Sequence, residues 1–188
     1  LKGVYLDVFS AVELDECFHS EHRMTRRECM EYRIACFNYI RSKGMLVSSE
    51  EPIDWAIPYL DLVHWGPYID PGIKGPSVGI PIPLLNLVYH DCIVLPWPMG
   101  KGICGIPEND SSFLHALLNG GAGYLSIDAD KEEIAKNKMV CDIFRKVAFE
   151  EMISHEFLNN SYRKQKTIFS NGIVAVSYTH LRAHETRH

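Results

Sequence analysis

The feature of this 188-residue chain that most constrains its fold is an alternation of short apolar runs with segments of helical periodicity. The apolar runs predict five strands, and helices are predicted from Thr25, in SSFLHALLNGG and over residues 130–153. The predicted strands cover residues 1–9, 45–49, 59–64, 84–90 and 122–127. Strands that alternate with helices usually pair in parallel, so the pattern predicts an α/β fold.

Helix ends are marked by local signals. Thr25 and Glu28 form the pattern of a capping box, and Gly44 ends the first helix. Asp128-Ala-Asp130 looks like the start of a calcium loop, but it lacks the glycine and the distal glutamate that such a loop needs. We expect these acids to cap the helix that follows, because carboxylates favour the N-terminal end of a helix.

The pattern changes near residue 158, where Asn171-Gly172 lies between two apolar runs and predicts a β-hairpin. Five strand and helix units followed by a hairpin suit the C-terminal part of a (β/α)8 TIM barrel, residues 1–157, and the start of a β-sandwich domain, residues 158–176. An open doubly wound sheet is the alternative. It usually carries a glycine-rich phosphate loop, and the chain has no GxxxxGK[ST] motif.

Composition argues against two classes of partner. The formal net charge is −5 and no basic patch stands out, so we expect no nucleic-acid partner. No run of 18 apolar residues occurs, so we expect no membrane span. Six cysteines without a CxxC motif are interpreted as reduced core thiols, which favours a reducing, cytoplasmic compartment.

The C-terminal segment VSYTHLRAHETRH differs in character from the rest of the chain and resembles a translated sequencing adaptor. We interpret residues 177–188 as a non-native tail, so His180, His184 and His188 are not a predicted metal site. An incomplete barrel would expose sheet edges, and we therefore expect the isolated chain to be inactive and poorly soluble.

Acidic residues lie at the ends of several predicted strands: Asp7, Glu50 or Glu51, and the pair His90-Asp91. In a barrel, side chains at the carboxyl ends of strands project into the active site. Clustered carboxylates with few bases suit glycoside hydrolysis, and a retaining mechanism needs its two acids roughly 5 to 5.5 Å apart. Asp61 lies inside a predicted strand and is interpreted as structural or substrate-positioning.

Further residues at the same rim are candidates for substrate binding. Aromatic platforms stack on sugar faces, although many such aromatics are ordinary packing. The aromatic candidates are Tyr5, Trp55, Trp65, Tyr68, Tyr89 and Trp97. His90 and Asp91 either bind sugar hydroxyls or form a buried pair that stiffens a strand end. His19 and His22, with Glu16 and Glu21, are a weak candidate for a divalent ion; we expect neither a metal nor a cofactor.

Two stretches carry a family resemblance. VYLDV, followed about forty residues later by KGMLVSSE, resembles the core of endo-α-N-acetylgalactosaminidases of glycoside hydrolase family 101 and their relatives in family 129. SEEPIDWAIPYLDL and LVYHDCIVLPW resemble stretches of gut-bacterial proteins that look like distant relatives of those enzymes. The resemblance implies that Asp7 is the nucleophile and Glu50 the acid/base, with Glu51 as the fallback. The chain departs from the family where Phe9-Ser10 and Glu51-Pro52 replace Trp-Gly pairs.

The resulting hypothesis is a retaining glycoside hydrolase for α-linked galactosyl or N-acetylgalactosaminyl groups, with an oligosaccharide or glycoconjugate substrate. The alternative is a non-catalytic carbohydrate-binding or structural barrel protein that has kept the fold and lost the chemistry. Geometry discriminates between them, because catalysis requires both acids to face one pocket at a suitable separation.

Overall fold

The computed structural model describes residues 2–64, 82–98, 112–160 and 162–178. The chain divides into two compact units, residues 1–66 and 67–188.

The first unit is a three-stranded parallel sheet with one long helix. Its elements are β1 (Gly3–Tyr5), α1 (Arg26–Ser42), β2 (Leu46–Glu50) and β3 (Leu62–His64). The strand order is β1-β2-β3, and both pairs are parallel. Parallel neighbours joined through a helix confirm the predicted strand–helix alternation in this unit. The predicted third strand begins late, because Ile57–Tyr59 form a 3₁₀ turn.

Local signals set the limits of α1 as predicted. The Thr25 side chain accepts from the Glu28 amide, and the Glu28 carboxylate accepts from the Thr25 amide, so the capping box is complete. Gly44 follows the helix with φ +69°, a conformation that glycine adopts without strain. The helix buries Phe37, which packs edge-on against Phe9, and it contacts β2.

A buried arginine ties the segment after β1 to this helix. Arg33 is 8% exposed, and its guanidinium donates to the carbonyls of Phe9, Val12 and Glu13 at 2.7–3.3 Å. The guanidinium also lies 3.6 Å from the carboxylate of Asp15, whose side chain is exposed. Because several backbone oxygens depend on one side chain, Arg33 fixes the path of the chain immediately after Asp7.

The second unit contains a parallel pair and an antiparallel sheet. Its elements are α2 (Leu84–Tyr89), β4 (Pro96–Pro98), α3 (Ser112–Leu118), β5 (Ala122–Tyr124), α4 (Lys131–Val147), β6 (Met152–Phe157), β7 (Lys164–Phe169) and β8 (Val174–Tyr178). Strand β4 pairs with β5 in parallel, and the order β6-β7-β8 is antiparallel throughout. Asp130 caps α4 through its Oδ1, as the sequence predicts.

Three predicted elements of this unit are corrected. Residues 84–90 were expected to be a strand, but they form α2 and its C-terminal cap. A short apolar run has no periodicity that separates a buried strand from a helical turn, and here Asn86 and His90, four residues apart, are both buried. The predicted helix over 130–153 ends at Val147, because Met152–Phe157 pair with β7 instead. The predicted strand 122–127 ends at Tyr124.

The predicted hairpin is present, with Asn171 and Gly172 between β7 and β8 and Gly172 at φ +84°. The described residues thus form a partial α/β fold with an added antiparallel sheet. A closed barrel, a β-sandwich and the proposed domain limits stay predictions.

Cysteine placement is mixed. The cysteines among the described residues are free thiols, and of these only Cys29 is buried, whereas Cys36 and Cys92 are exposed. The interpretation of the cysteines as core thiols is therefore wrong for the exposed pair. No helix in the described ranges is both long and apolar enough to cross a bilayer.

Candidate active site

The candidate site lies where the three parallel strands of the first unit end. Glu50 is the last residue of β2 and is paired in register with His64, the last residue of β3. Tyr5 ends β1 opposite Ser48, and Asp7 follows two residues later. Because the strands are parallel, their carboxyl ends meet at one edge, and this brings the two predicted catalytic acids together.

One phenol joins the two acids. The Tyr5 hydroxyl makes a short hydrogen bond with Glu50 Oε1 and lies 3.4 Å from Asp7 Oδ1. Since a single oxygen contacts both carboxyl groups, the Asp7 and Glu50 oxygens that it touches lie at most about 6 Å apart. The structure therefore places Tyr5 against the acids, and its predicted role in substrate binding stays a prediction.

Backbone contacts fix Glu50 on its other side. The amide of Val8 donates to Glu50 Oε2 at 3.2 Å, so each carboxylate oxygen of Glu50 has its own partner. Ser10, which is fully buried, donates its hydroxyl to the Glu50 carbonyl and its amide to Ser49 Oγ. These bonds tie the segment after β1 to the end of β2, and so hold Asp7 beside Glu50.

The residue after each acid has a left-handed backbone. Val8 has φ +47° and Glu51 has φ +48°. For a β-branched residue such as Val8 this conformation is a genuine outlier, and such conformations cluster at functional sites. In Val8 the unusual turn directs the amide at Glu50, which links the strain to the arrangement of the acids.

The titration of Tyr5 and His64 reflects this environment. Burial, the hydrogen bond to Glu50 and the negative charges of Glu50 and Asp7 raise the pKa of Tyr5 above its ordinary value. The phenol is therefore a neutral donor at physiological pH. Burial lowers the pKa of His64, and the charge of Glu50 opposes that shift.

His64 is a site residue that sequence reasoning missed. Its ring packs edge-on against Tyr5, with ring centroids 5.0 Å apart. It is not an acid, but it ends β3 just as Glu50 ends β2. Its strand-end position was the available signal.

The two adjacent glutamates have different surroundings. Glu50 shares Tyr5 with Asp7, whereas the side chain of Glu51 is exposed and its amide donates to the His64 carbonyl at 2.9 Å. The geometry thus favours Glu50 over Glu51 as the partner of Asp7.

The remaining candidates of the first unit lie elsewhere. Trp55 is half-buried and stacks on Phe37, with centroids 6.2 Å apart, so part of its surface belongs to the core. Trp65 and Tyr68 lie outside the described residues. The rings of His19 and His22 stack at 4.3 Å, and no group of three or more possible metal ligands occurs in the described ranges.

The candidates of the second unit have local contacts. His90 is 5% exposed; its Nδ1 lies 2.7 Å from the Glu150 carbonyl, and its ring packs on Phe169. Asp91 is exposed and accepts from the neighbouring Cys92 thiol. The buried pair of His90 and Asp91, one of the two alternatives from the sequence, is therefore not formed. Trp97 is 4% exposed and packs with the core of this unit. Sugar binding by these residues stays a prediction.

Comparison with known proteins identifies what this chain resembles. No protein-family model matches it, and no curated protein matches it. Solved structures do match: the α-N-acetylgalactosaminidase NagBb of Bifidobacterium bifidum, as a quadruple mutant, is 43% identical over 96% of this chain, with a TM-score of 0.81. The same enzyme in complex with GalNAc is 40% identical over 93% of the chain, with a TM-score of 0.78.

The chain spans about 30% of the length of these structures, 30% of the mutant and 29% of the GalNAc complex. At this level of identity and structural similarity, the predicted resemblance to α-N-acetylgalactosaminidase-like glycoside hydrolases is confirmed.

Proposed function

We propose that this chain carries the two catalytic carboxylates of a retaining glycoside hydrolase that cleaves α-linked N-acetylgalactosamine from a glycan. The observation that carries the proposal is the shared contact of Asp7 and Glu50 with one phenol at the ends of β1 and β2. The substrate is inferred from the similarity to NagBb, one structure of which is a GalNAc complex. An α-galactosyl substrate is the remaining possibility within this proposal.

In the first step, the Asp7 carboxylate attacks the anomeric carbon while Glu50, protonated, gives its proton to the leaving oxygen. The glycosidic carbon–oxygen bond breaks, and an ester forms between Asp7 and the sugar. The aglycone leaves as an alcohol, so the proton lost by Glu50 balances the charge gained by the leaving group.

In the second step, the Glu50 carboxylate takes a proton from a water molecule, and the water oxygen attacks the anomeric carbon. The ester bond breaks, Asp7 becomes a carboxylate again and Glu50 is reprotonated. Two displacements on opposite faces give the α-anomer as the first product.

The separation of the acids supports a retaining mechanism. Retaining enzymes hold their acids about 5–5.5 Å apart, and inverting enzymes about 6.5–9.5 Å apart to leave room for water. The upper limit of about 6 Å between the two oxygens that contact Tyr5 lies below the inverting range.

The same contacts support Glu50 as the acid/base. Its two oxygens contact the Tyr5 hydroxyl at the end of β1 and the Val8 amide just after it, so Glu50 is held beside the segment that carries Asp7. Glu51 has an exposed side chain and serves as the matched comparison in the test.

The test uses a full-length protein that carries this segment, assayed on p-nitrophenyl α-N-acetylgalactosaminide and the α-galactoside. We expect turnover with an α-anomeric first product by NMR, and at least about 10³-fold losses of kcat/KM in Asp7→Ala and Glu50→Gln. Glu51→Gln should remain within about tenfold of the parent, since it lacks the shared contact.

Added azide provides a sharper assignment. In Asp7→Ala it should restore turnover and give the β-glycosyl azide, because it enters from the face that the missing carboxylate occupied. Full activity of Asp7→Ala would disprove the nucleophile assignment, and a β-anomeric first product would disprove retention. A protein that binds GalNAc without any turnover would instead be the non-catalytic carbohydrate-binding alternative.

A further inference from the structure

We propose that Tyr5 is a positioning residue. Its single hydroxyl hydrogen is donated to whichever of Asp7 and Glu50 carries the negative charge at each stage of the reaction. The inference rests on the proposed function, because it assigns a role to the contact between the two acids. Tyr5 has no assigned role in the two displacement steps, and its contacts point to the acids.

The phenol has one hydrogen to donate and oxygen lone pairs to accept with. Its oxygen lies within hydrogen-bonding distance of Asp7 Oδ1 and of Glu50 Oε1. It therefore donates to one carboxyl group at a time, and it can accept from the other only when that group is protonated. The two acids and the phenol form a chain of three groups that shares two hydrogens.

Before the first displacement, Glu50 holds the proton and Asp7 holds the charge. In that state the phenol donates to the Asp7 carboxylate, and the Glu50 proton is given to the leaving oxygen. After the displacement Asp7 is an uncharged ester and Glu50 is the carboxylate, so the phenol hydrogen turns to Glu50. No bond to hydrogen breaks within Tyr5, and the same donor stabilises whichever acid is ionised.

The surroundings suit a donor that stays neutral through this exchange. The raised pKa of Tyr5 means that the phenol does not lose its proton to either acid. The groups known to face it from the neighbouring elements are Asp7 after β1, Glu50 on β2 and His64 on β3. The edge-on contact with His64 holds the ring in the position from which both acids are within reach.

The test replaces Tyr5 with Phe in the same full-length protein, which keeps the ring and removes the hydroxyl. In a plot of kcat/KM against pH, the acidic limb reports ionisation of the nucleophile in the free enzyme. Without the phenol hydroxyl the ionised nucleophile loses a hydrogen bond, so we expect this limb to move to higher pH by about half a pH unit or more. We also expect kcat/KM at its optimum to fall by about tenfold or more.

Tyr32→Phe, the same change at an exposed position on α1, is the matched control and should leave both values unchanged. A second probe, 3-fluorotyrosine at position 5, keeps the hydroxyl and strengthens it as a donor, so the acidic limb should move to lower pH. It also covers the case in which Tyr5→Phe does not fold.

This role would be overturned if the parent is active and the acidic limb of the pH profile stays at the same pH in both Tyr5 variants. Such a result would leave the proposed function intact, because Asp7→Ala and Glu50→Gln would still be inactive. An inactive parent would instead count against the proposed function itself.

Discussion

Two aspartates of the first unit, Asp7 and Asp61, lie in different surroundings. Asp7 is exposed and shares Tyr5 with Glu50. Asp61 is half-buried: its Oδ1 accepts from Arg41 at 2.7 Å and its Oδ2 from the amide of Val47 at 2.8 Å. Both oxygens of Asp61 are thus engaged in holding α1, β2 and the segment before β3 together, which agrees with a structural role.

A first prediction follows for Asp61. Asp61→Ala leaves the buried backbone amide of Val47 without its carboxylate acceptor, which should lower the free energy of unfolding by about 1–3 kcal/mol. Asp61→Asn keeps an acceptor and should cost less. Thermal unfolding of the full-length protein measures both, and unchanged stability in Asp61→Ala would contradict this assignment.

Helix ends show how far local sequence determines an element. Both long helices begin with a complete capping box, at Thr25 and at Asp130. The sequence predicted the box at Thr25 and, before the second helix, a cap by acidic residues. A capping box needs only residues three apart, so no tertiary contact is required to recognise it. The six-residue α2 carries no such signal, because its N-cap is Pro83 and no side chain caps it.

The cap of α4 gives a second prediction. Asp130 Oδ1 accepts from the amides of Glu132 and Glu133, both at 2.8 Å. Asp130→Ala should lower stability by about 1 kcal/mol, and Asp130→Ser, which restores an accepting oxygen, should recover most of that loss. Equal melting temperatures for the Ala and Ser variants would show that the side-chain cap contributes nothing.

At the scale of the whole molecule, the antiparallel sheet introduces a pH-dependent contribution to stability. His155 on β6 contacts Thr167 on β7, with Nδ1 3.1 Å from Oγ1. Burial lowers the pKa of His155; a hydrogen bond with Gln165 and the charge of Glu156 oppose this shift, and His115 adds to it. The native state therefore disfavours the charged imidazole.

The sign of the pH effect follows from linkage. In the unfolded chain His155 takes up a proton near its ordinary pKa of about 6.5, whereas the folded protein resists protonation until a lower pH. The unfolded state thus binds more protons, and stability falls as the pH drops from about 6.5 to the folded-state pKa.

The third prediction is that His155→Phe flattens this dependence. Melting temperatures measured between about pH 5 and 7 should fall less steeply in His155→Phe than in the parent. His22→Phe, at an exposed histidine of the first unit, is the control and should keep the parent slope. Identical slopes in His155→Phe and the parent would contradict the assignment of this effect to His155.

The sequence by itself determined the features that depend on near neighbours or on pattern. The capping box at Thr25, the acidic cap of α4, the Asn171-Gly172 hairpin and the parallel pairing of strands that alternate with helices were all predictable. Each follows from residues a few positions apart or from periodicity. The acids Asp7 and Glu50 were predicted as catalytic because both lie at strand ends and because VYLDV and KGMLVSSE resemble a known family.

Only the tertiary structure decided which of these residues meet. The choice of Glu50 over Glu51 depends on which way a side chain leaves the end of β2, and the register beside β1 determines that Glu50 reaches Tyr5. The contact of His64 with Tyr5 depends on the register of β3 against β2, which places His64 beside Glu50. The helix at 84–89 and the burial of His90 and Trp97 depend on packing partners distant in sequence, and local pattern carries no information about such partners.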